Sequence, residues 1–342
     1  MKRVGLLSAI VIVGLTVAGI AAQQGPPAPA GGGRGGGGGR GGATQICGRN
    51  LPPAGPIEKV KENLYKIFGG GGNTVVFVTQ TGVVLVDTKL ANCGETILKQ
   101  VQSVTNKPVT MIINTHSHPD HMGSNNYFPW TVEKITHANT RRWMANNIQY
   151  AFNPAVMPTQ TFTDKMTVGT GPDRMDLYWF GAGHTDGDAF IVFPAVRTMM
   201  AGDIFAWNMG PLIDPGAGGS VLALPDTLEK TLKGVPNVDT VIEGHGNVNT
   251  WEGFRTFTEF NRALVTATKA GLGKQSPEEI ANSLKAKFPI QTGEQILPGL
   301  EYGGTPLSRA VINVNVACQE LKGERVTTNF AAPKAGAPGP CR

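Results

Sequence analysis

The sequence lacks the cysteine pattern of a thiolate metal site. Its 342 residues include four cysteines, and none of them lies in a C-x-x-C pair or among the histidine motifs described below. It also lacks any visible repeat of fixed period, which a repeat architecture requires. A metal site in this chain must therefore take nitrogen and oxygen ligands.

Acidic side chains are absent from residues 1–56. Subtracting the five basic residues of this segment from the total of 30 leaves 25, against 25 acidic residues in the rest of the chain. The formal net charge of +5 thus belongs to the amino-terminal segment, and the remainder is neutral. The basic pI therefore gives no support for a nucleic-acid partner.

Residues 1–22 have the pattern of a signal peptide. Two basic residues precede the apolar run 4–20, and small residues follow, with cleavage expected near Ala21 or Ala22. This pattern predicts a periplasmic or secreted protein. An uncleaved anchor is the alternative, because about 18–20 apolar residues can span a bilayer, and a membrane association is expected only in that case.

The composition divides the rest of the chain into four parts. Residues 23–56 form a glycine- and proline-rich linker with little to bury, and 326–342 form a loosely ordered tail. Between them, we expect a catalytic domain over 57–257 and a helical extension over 258–325. This extension is expected either to cover one end of the site or to form a subunit contact, so the oligomeric state stays open.

The even number of cysteines predicts one or two disulfides in an oxidising compartment. Cys47 and Cys341 flank the folded region, which favours a bridge that ties the two ends together. Free buried thiols at Cys93 and Cys318 are the alternative.

Short apolar runs alternate with stretches of helical spacing. Ten runs are typical of strands: 63–68, 74–79, 82–87, 109–114, 134–137, 165–168, 175–180, 189–193, 198–201 and 240–243. Six stretches are typical of helices: 92–104, 139–149, 225–233, 252–269, 277–287 and 305–322. This order predicts an α/β fold in which two sheets carry helices on their outer faces, a four-layered αβ/βα sandwich with a C-terminal helical extension.

Five of the six histidines lie in short motifs that follow apolar strands. The motifs are T-H-S-H-P-D-H, G-H-T-D-G-D, A-G-D-I-F and E-G-H-G. They supply seven candidate metal ligands: His116, His118, Asp120, His121, His184, Asp203 and His245. His137 lies outside every motif and is expected to be structural.

Seven nitrogen and oxygen ligands suffice for two metal ions. Imidazole and carboxylate suit zinc first, and iron or manganese less well. His116, His118 and His184 are expected on the first ion, Asp120, His121 and His245 on the second, and Asp203 on both. A hydroxide between two ions roughly 3.5–4 Å apart is a hydrolytic nucleophile at neutral pH. We expect Asp120 to act as the catalytic residue that orients this nucleophile.

Together with V-V-L-V-D-T at residues 83–88, these motifs closely resemble those of the metallo-β-lactamase superfamily. The resemblance covers about residues 57–257 and implies the αββα fold and a dinuclear site with the ligands named above. It also implies that Asp87 orients the histidine loop from behind the ligands.

The resemblance leaves the substrate open, because function depends on the surroundings of the site. β-Lactamases with cysteine at the position of Asp203 usually carry a lysine three residues later, where this chain has Ala206. The subclass with histidine at the position of His121 usually has serines where Ile204 and Phe205 stand. Asp203 is more similar to the bridging aspartate of glyoxalase-II-type and general hydrolase branches.

We therefore predict an exported zinc-dependent hydrolase that uses a metal-bridging hydroxide on an ester, lactone, thioester or amide. The first alternative is a metallo-β-lactamase acting on β-lactam antibiotics. The second is an iron-dependent redox enzyme on the same scaffold, and a non-catalytic binding module is the weakest.

Two loops between the motifs carry candidates for a substrate pocket. Phe152 and Met157 lie in one of them, and Trp207 and Asn208 lie in the other. Apolar and aromatic walls with few polar groups suit a small-molecule substrate. Ordinary loop packing is the alternative.

Overall fold

The computed structural model describes residues 47, 53–147, 150–293, 301–302, 305–306, 308–324, 326 and 341. The predicted signal peptide, most of the predicted linker and nearly all of the predicted tail lie outside these residues. Among the described helices, none is long and apolar enough to cross a membrane.

The first sheet has seven strands in chain order. They are β1 (Ile57–Lys61), β2 (Leu64–Ile67), β3 (Thr74–Val78), β4 (Val83–Val86), β5 (Val109–Ile113), β6 (Glu133–His137) and β7 (Gln160–Phe162). Strands β1 to β4 pair antiparallel, and the pairs from β4 to β7 are parallel.

The second sheet has six strands, again in chain order. They are β8 (Lys165–Val168), β9 (Met175–Tyr178), β10 (Phe190–Phe193), β11 (Thr198–Met200), β12 (Thr240–Ile242) and β13 (Val248–Thr250). A separate hairpin joins β14 (Glu301–Tyr302) and β15 (Thr305–Pro306).

Seven α-helices accompany the strands in the described part of the chain. They are α1 (Gly94–Gln102), α2 (Pro119–Met122), α3 (Ala138–Asn146), α4 (Leu224–Gly234), α5 (Trp251–Gly271), α6 (Pro277–Ser283) and α7 (Arg309–Leu321).

The two sheets pack face to face through alternate side chains. Val75 and Phe77 of β3 meet Ile191 of β10 in the core between the sheets. Their neighbours Val76 and Phe190 point to the opposite faces, into separate outer cores. Because successive strand residues alternate between faces, strands that are apolar on both faces are buried between two layers.

Helices cover the outer face of each sheet. Ile97 and Val101 of α1 pack on the first sheet. Leu228 of α4, Phe257 of α5 and Val314 of α7 pack on the second. The predicted four-layered αβ/βα sandwich is confirmed. Helix α5 continues across residue 257, where the sequence analysis placed the boundary between the catalytic domain and the helical extension. Buried residues of α5, α6 and α7 share one apolar core, so these helices belong to the same packed layer.

Three strands of the two large sheets escaped the sequence analysis: β1, β7 and β13. Their sequences, IEKVK, QTF and VNT, mix polar and apolar residues. Each lies at the edge of its sheet and is defined by pairing with one neighbour. An edge strand buries too little surface to need a continuous apolar run.

The predicted bridge between Cys47 and Cys341 was wrong, and so were the predicted free thiols. Cys47 pairs with Cys93, and Cys318 pairs with Cys341. The first pair lies in the core beneath α1, and the second lies in the core beneath α4 to α7. Both sheets separate these two cores, so each end of the chain is tied to its own outer layer.

Candidate metal centre

The candidate ligands lie at one edge of the two sheets. The segment from His116 to His121 follows β5, and His184 follows β9. Asp203 follows β11, and His245 follows β12. Strands β9, β11 and β12 run in one direction, so their carboxyl ends meet at the same edge. This shared direction brings residues far apart in sequence into one site.

The seven predicted ligands form two groups. One group contains His116, His118, His184 and Asp203, and the other contains Asp120, His121 and His245. Within each group, one donor atom from every member lies within 4.8 Å of the others. The five histidines and Asp120 divide as expected from the sequence, and Asp203, which was expected on both ions, falls in the first group.

Asp203 lies between the two groups. One of its oxygens, Oδ1, is 3.0 Å from Nε2 of His121, and the other, Oδ2, is 3.4 Å from Nε2 of His245. Oδ2 is also 3.8 Å from Nε2 of His184, a member of the first group. This carboxylate can therefore reach both groups at once.

Asp87 lies behind the histidine loop and accepts three hydrogen bonds. The backbone N–H of Thr115 donates to Oδ1 at 2.8 Å, and the Thr115 hydroxyl donates to Oδ2 at 2.7 Å. Nδ1 of His121 lies 2.7 Å from Oδ2. With its proton on Nδ1, the His121 ring presents the lone pair of Nε2 to the centre.

The three histidines of the first group are oriented in the same way. Nε2 of His118 lies 2.7 Å from Oδ2 of Asp214, and Nδ1 of His116 lies 2.9 Å from the Thr115 hydroxyl. Nδ1 of His184 donates to the carbonyl oxygen of Leu212. Each ring thus uses one nitrogen for an outer partner and leaves the other for the centre.

Among the described residues, Nε2 of His116 and Oδ1 of Asp203 are buried and make no hydrogen bond, although Oδ1 lies 3.0 Å from Nε2 of His121. A buried polar atom without a partner costs about 1–3 kcal/mol. Burial lowers the pKa of His184 to about 4 and that of His116 well below its ordinary value, so both rings are neutral, as ligation requires. The donor set fits zinc, because its atoms are imidazole nitrogens and carboxylate oxygens.

The second group carries protons that a metal ion replaces. Burial lowers the pKa of His245, but Asp203 and Asp120 outweigh it and raise the pKa to about 9. Burial opposes protonation of His121 as well, yet the same two carboxylates raise its pKa well above the ordinary value. Metal binding to this group therefore releases protons at neutral pH.

Glycine permits the closest approaches around the ligands. A Cβ atom at Gly72 would lie 2.2 Å from Cε1 of His121, and one at Gly244 would lie 2.2 Å from Oδ1 of Asp203. Gly71, with φ of 111°, turns the chain at the same place. Side chains at these positions would occupy the space of the ligands.

The predicted pocket residues separate into two sets. The Trp207 ring stacks on His245, with centroids 4.5 Å apart, and Asn208 accepts a hydrogen bond from Gln291. In the other loop, Met157 packs in a small apolar cluster, as ordinary loop packing predicts, and Phe152 is 85% exposed. The structure therefore brings Trp207 against the ligands and leaves Phe152 in solvent.

The sequence analysis assigned no role toward the ligands to three polar residues near the site. Asp214 holds His118, as described above. Lys89 donates from a buried Nζ to the carbonyl oxygens of Ile67 and Gly72, and burial lowers its pKa to about 7. Burial, and then Asp120, raise the pKa of Tyr150. A single aspartate, lysine or tyrosine outside a motif carries no sequence signal of its own, although Lys89 stands two residues after Asp87.

Comparison with known proteins agrees with this geometry. The model of the metallo-beta-lactamase superfamily matches residues 67–245, from the end of β2 to the last candidate ligand. The chain belongs to the metallo-β-lactamase superfamily. The match confirms the resemblance inferred from the motifs, and the chain is a metal-dependent hydrolase of this superfamily by fold and by its histidine and aspartate clusters.

Two curated members of the superfamily illustrate the sequence similarity. A metallo-beta-lactamase type 2 from Elizabethkingia meningoseptica is 30% identical over 208 residues, which are 56% of this chain and 79% of that protein. One from Bacteroides fragilis is 24% identical over 189 residues, 54% of this chain and 74% of that protein.

A solved structure agrees on the fold of the superfamily. The metallo-beta-lactamase from Pontibacter korlensis aligns with a TM-score of 0.51 at 18% identity, over 60% of this chain and 98% of that one.

Proposed function

We propose that this protein is an exported hydrolase that holds two zinc ions and cleaves an ester, lactone, thioester or amide. The observation that carries this proposal is the convergence of seven nitrogen and oxygen donors into two groups, with the Asp203 carboxylate between them. The buried unpartnered atoms of His116 and Asp203 support a metal ion at this place.

Zinc would supply a water nucleophile ionised near neutral pH and a Lewis acid for the substrate carbonyl. The chain contributes the positions of the reacting groups. Asp120 is suited to orient the nucleophile and hold its proton, because its side chain is 27% exposed, whereas that of Asp203 is 13% exposed. Trp207 forms an aromatic wall beside His245 and is suited to the apolar part of a small substrate.

We propose zinc rather than iron or manganese because five imidazoles dominate the donor set. The test is elemental analysis of protein produced with zinc, iron and manganese all present. We expect close to two zinc ions per chain. Iron at both positions, with colour and a redox response, would support the iron-dependent alternative instead.

A second candidate function, β-lactam hydrolysis, is favoured by the relatives named metallo-beta-lactamase. The residue three positions after Asp203 argues against β-lactam hydrolysis. Ala206 is 2% exposed and offers no cation for a substrate carboxylate. Open-chain and cyclic esters, which need no such cation, therefore stay first.

The decisive experiment compares substrates on one zinc-loaded preparation. A chromogenic β-lactam, a lactone, a thioester and an aryl ester are tested with wild type, His116→Ala and His137→Gln. His137 is a matched control, because it is a buried histidine that binds the Thr163 carbonyl away from the ligands. We expect turnover that a chelator abolishes, that His116→Ala loses and that His137→Gln retains. Full activity of His116→Ala would refute the site.

We also propose that the chain is exported and cleaved near Ala21 or Ala22. The two disulfides support this, because such bonds persist in oxidising compartments. Cell fractionation and amino-terminal sequencing test it. A mature protein that begins after Ala22 in the periplasm or medium is expected, and an uncleaved protein in the membrane fraction would support the anchor.

A further inference from the structure

His245 is held differently from the other histidines of the site. The other four place their outer nitrogen against a hydrogen-bond partner, as described above. Within the described residues, no hydrogen bond reaches Nδ1 of His245. Instead its ring lies on the indole of Trp207, with centroids 4.5 Å apart and planes at 14°. The orientation of this imidazole therefore depends on the position of Trp207.

The backbone at Trp207 needs support from outside its own loop. Trp207 and the following Asn208 have φ angles of 55° and 51°, in the left-handed region that side-chain-bearing residues seldom adopt. A bulky residue keeps such a conformation only where the surrounding structure imposes it. The hydrogen bond from the backbone N–H of Trp207 to the carbonyl oxygen of His245 supplies part of this constraint.

Residues C-terminal to the family match supply the rest. The guanidinium carbon of Arg309, at the start of α7, lies 4.3 Å from the Trp207 ring, on which it forms a cation–π contact. Nη1 of Arg309 donates to the carbonyl oxygen of Gly210 at 3.5 Å. Nε2 of Gln291 donates to Oδ1 of Asn208 at 3.1 Å. The loop from Trp207 to Gly210 is thus attached at three points to residues beyond the family match.

Burying the charged guanidinium of Arg309 costs free energy, so its position needs a compensating contact. Arg309 is 1% exposed, and within the described part of the chain its Nε and Nη2 have no hydrogen-bond partner. No carboxylate pairs with it among the described residues. The cation–π contact with the Trp207 ring, which desolvation strengthens, offsets part of this cost.

We propose that Arg309 and Trp207 are positioning residues for the metal ligand His245. The stack of Arg309, Trp207 and His245 lets a helix outside the superfamily match set the geometry of the second ligand group. The first group is oriented by Asp214, Thr115 and Leu212 and does not depend on the stack. The inference rests on the proposed two-ion site and predicts that the two ions respond differently.

The test is zinc affinity, measured on the full chain by competition with a chromophoric chelator. Arg309→Met keeps the length of the side chain and removes its charge, and Arg309→Lys keeps a cation without the planar face. Trp207→Phe keeps an aromatic ring of smaller area. Loss of an outer contact of a ligand weakens metal binding by about 10- to 100-fold, so we expect the ion at the His245 group to bind about 10-fold more weakly in Arg309→Met and Trp207→Phe.

Arg309→Lys is expected to restore part of the loss, and the other ion is expected to keep its affinity. Cobalt substitution gives a second measurement, because the visible absorption of the ion at the His245 group should change in both variants. Arg262→Met is the matched control. It removes an arginine of the same helical layer that pairs with Glu229 on the surface, and it should bind both ions like wild type.

The outcomes separate the inference from the proposed function. If wild type binds fewer than two zinc ions, the proposed site fails. If wild type binds two and Arg309→Met and Trp207→Phe bind them equally well, the stack has no positioning role. Tighter binding by Arg309→Met would also overturn the inference, because it would show that repulsion between the guanidinium and the metal outweighs the support. If Arg309→Met unfolds, Trp207→Phe and Arg309→Lys carry the test, because they keep most of the packing.

Discussion

Asp87→Asn changes one oxygen to an N–H₂ group behind the second ligand group. Asp87 accepts from the backbone N–H of Thr115 with Oδ1, and Oδ2 lies against Nδ1 of His121. An asparagine that keeps the bond from Thr115 must place its amide nitrogen against His121. Nδ1 then has to accept, the proton moves to Nε2, and the nitrogen that faces the centre loses its free lone pair.

The size of the effect follows from the bond that is lost. A buried hydrogen bond to a charged group is worth about 1.5–3 kcal/mol. Because about 1.4 kcal/mol corresponds to a factor of ten in binding, the zinc ion held by His121 should bind about 10- to 100-fold more weakly. The same range describes outer partners of metal ligands in general.

The assay is again competition with a chromophoric chelator, with the two zinc affinities determined separately. Asp214→Asn tests the first ligand group in the same way, since Oδ2 of Asp214 lies 2.7 Å from Nε2 of His118. This variant should lower the affinity for the zinc ion of the first group. Asp226→Asn is the control, because that carboxylate pairs with Arg262 on the surface. Wild-type affinity for both ions in Asp87→Asn would refute the argument, as would equal loss at both ions in the two variants.

The other predictions concern the close glycine, a buried acid and a disulfide. Gly72→Ala places a Cβ atom 2.2 Å from Cε1 of His121, so it should lower zinc content and activity together, whereas Gly55→Ala, with its nearest atom at 3.7 Å, should not. Burial raises the pKa of Asp188 to about 7. The folded state therefore keeps a proton that the unfolded state loses above its ordinary pKa near 4, and stability falls as pH rises from about 4 to about 7. Asp188→Asn removes this dependence, so in urea unfolding of the metal-free protein the variant should gain roughly 2–3 kcal/mol on wild type between pH 5 and pH 8. A constant difference across this range would contradict it. Cys47→Ser opens a loop of 46 residues and should cost about 4 kcal/mol in denaturant unfolding without reductant, and an unchanged midpoint would show that the bridge contributes nothing.

The sequence predicted the layers of the fold because its strands are apolar on both faces. The run from Val83 to Val86 packs with both faces in apolar cores, as its unbroken apolar sequence indicated. Where composition was mixed, as in β7 and β13, periodicity carried no signal. Pairing with a neighbouring strand decided those elements.

The disulfides show the same limit. The even number of cysteines and the positions of Cys47 and Cys341 on either side of the folded region suggested a bridge between the two ends, but distance in three dimensions decides which thiols meet. Cys47 reaches Cys93 and Cys341 reaches Cys318 because each pair shares one outer core.

The sequence by itself determined which candidate metal ligands come together. Histidines and aspartates that directly follow apolar strands gather at one sheet edge wherever those strands run in the same direction, so His116, Asp203 and His245 were recognisable from local pattern alone. What holds them was decided only by the tertiary structure. Asp214 approaches His118, and Arg309 approaches Trp207, across about 100 residues of chain. No local sequence pattern predicts such a contact for a single residue on a loop or helix, because the contact arises only when the layers pack together.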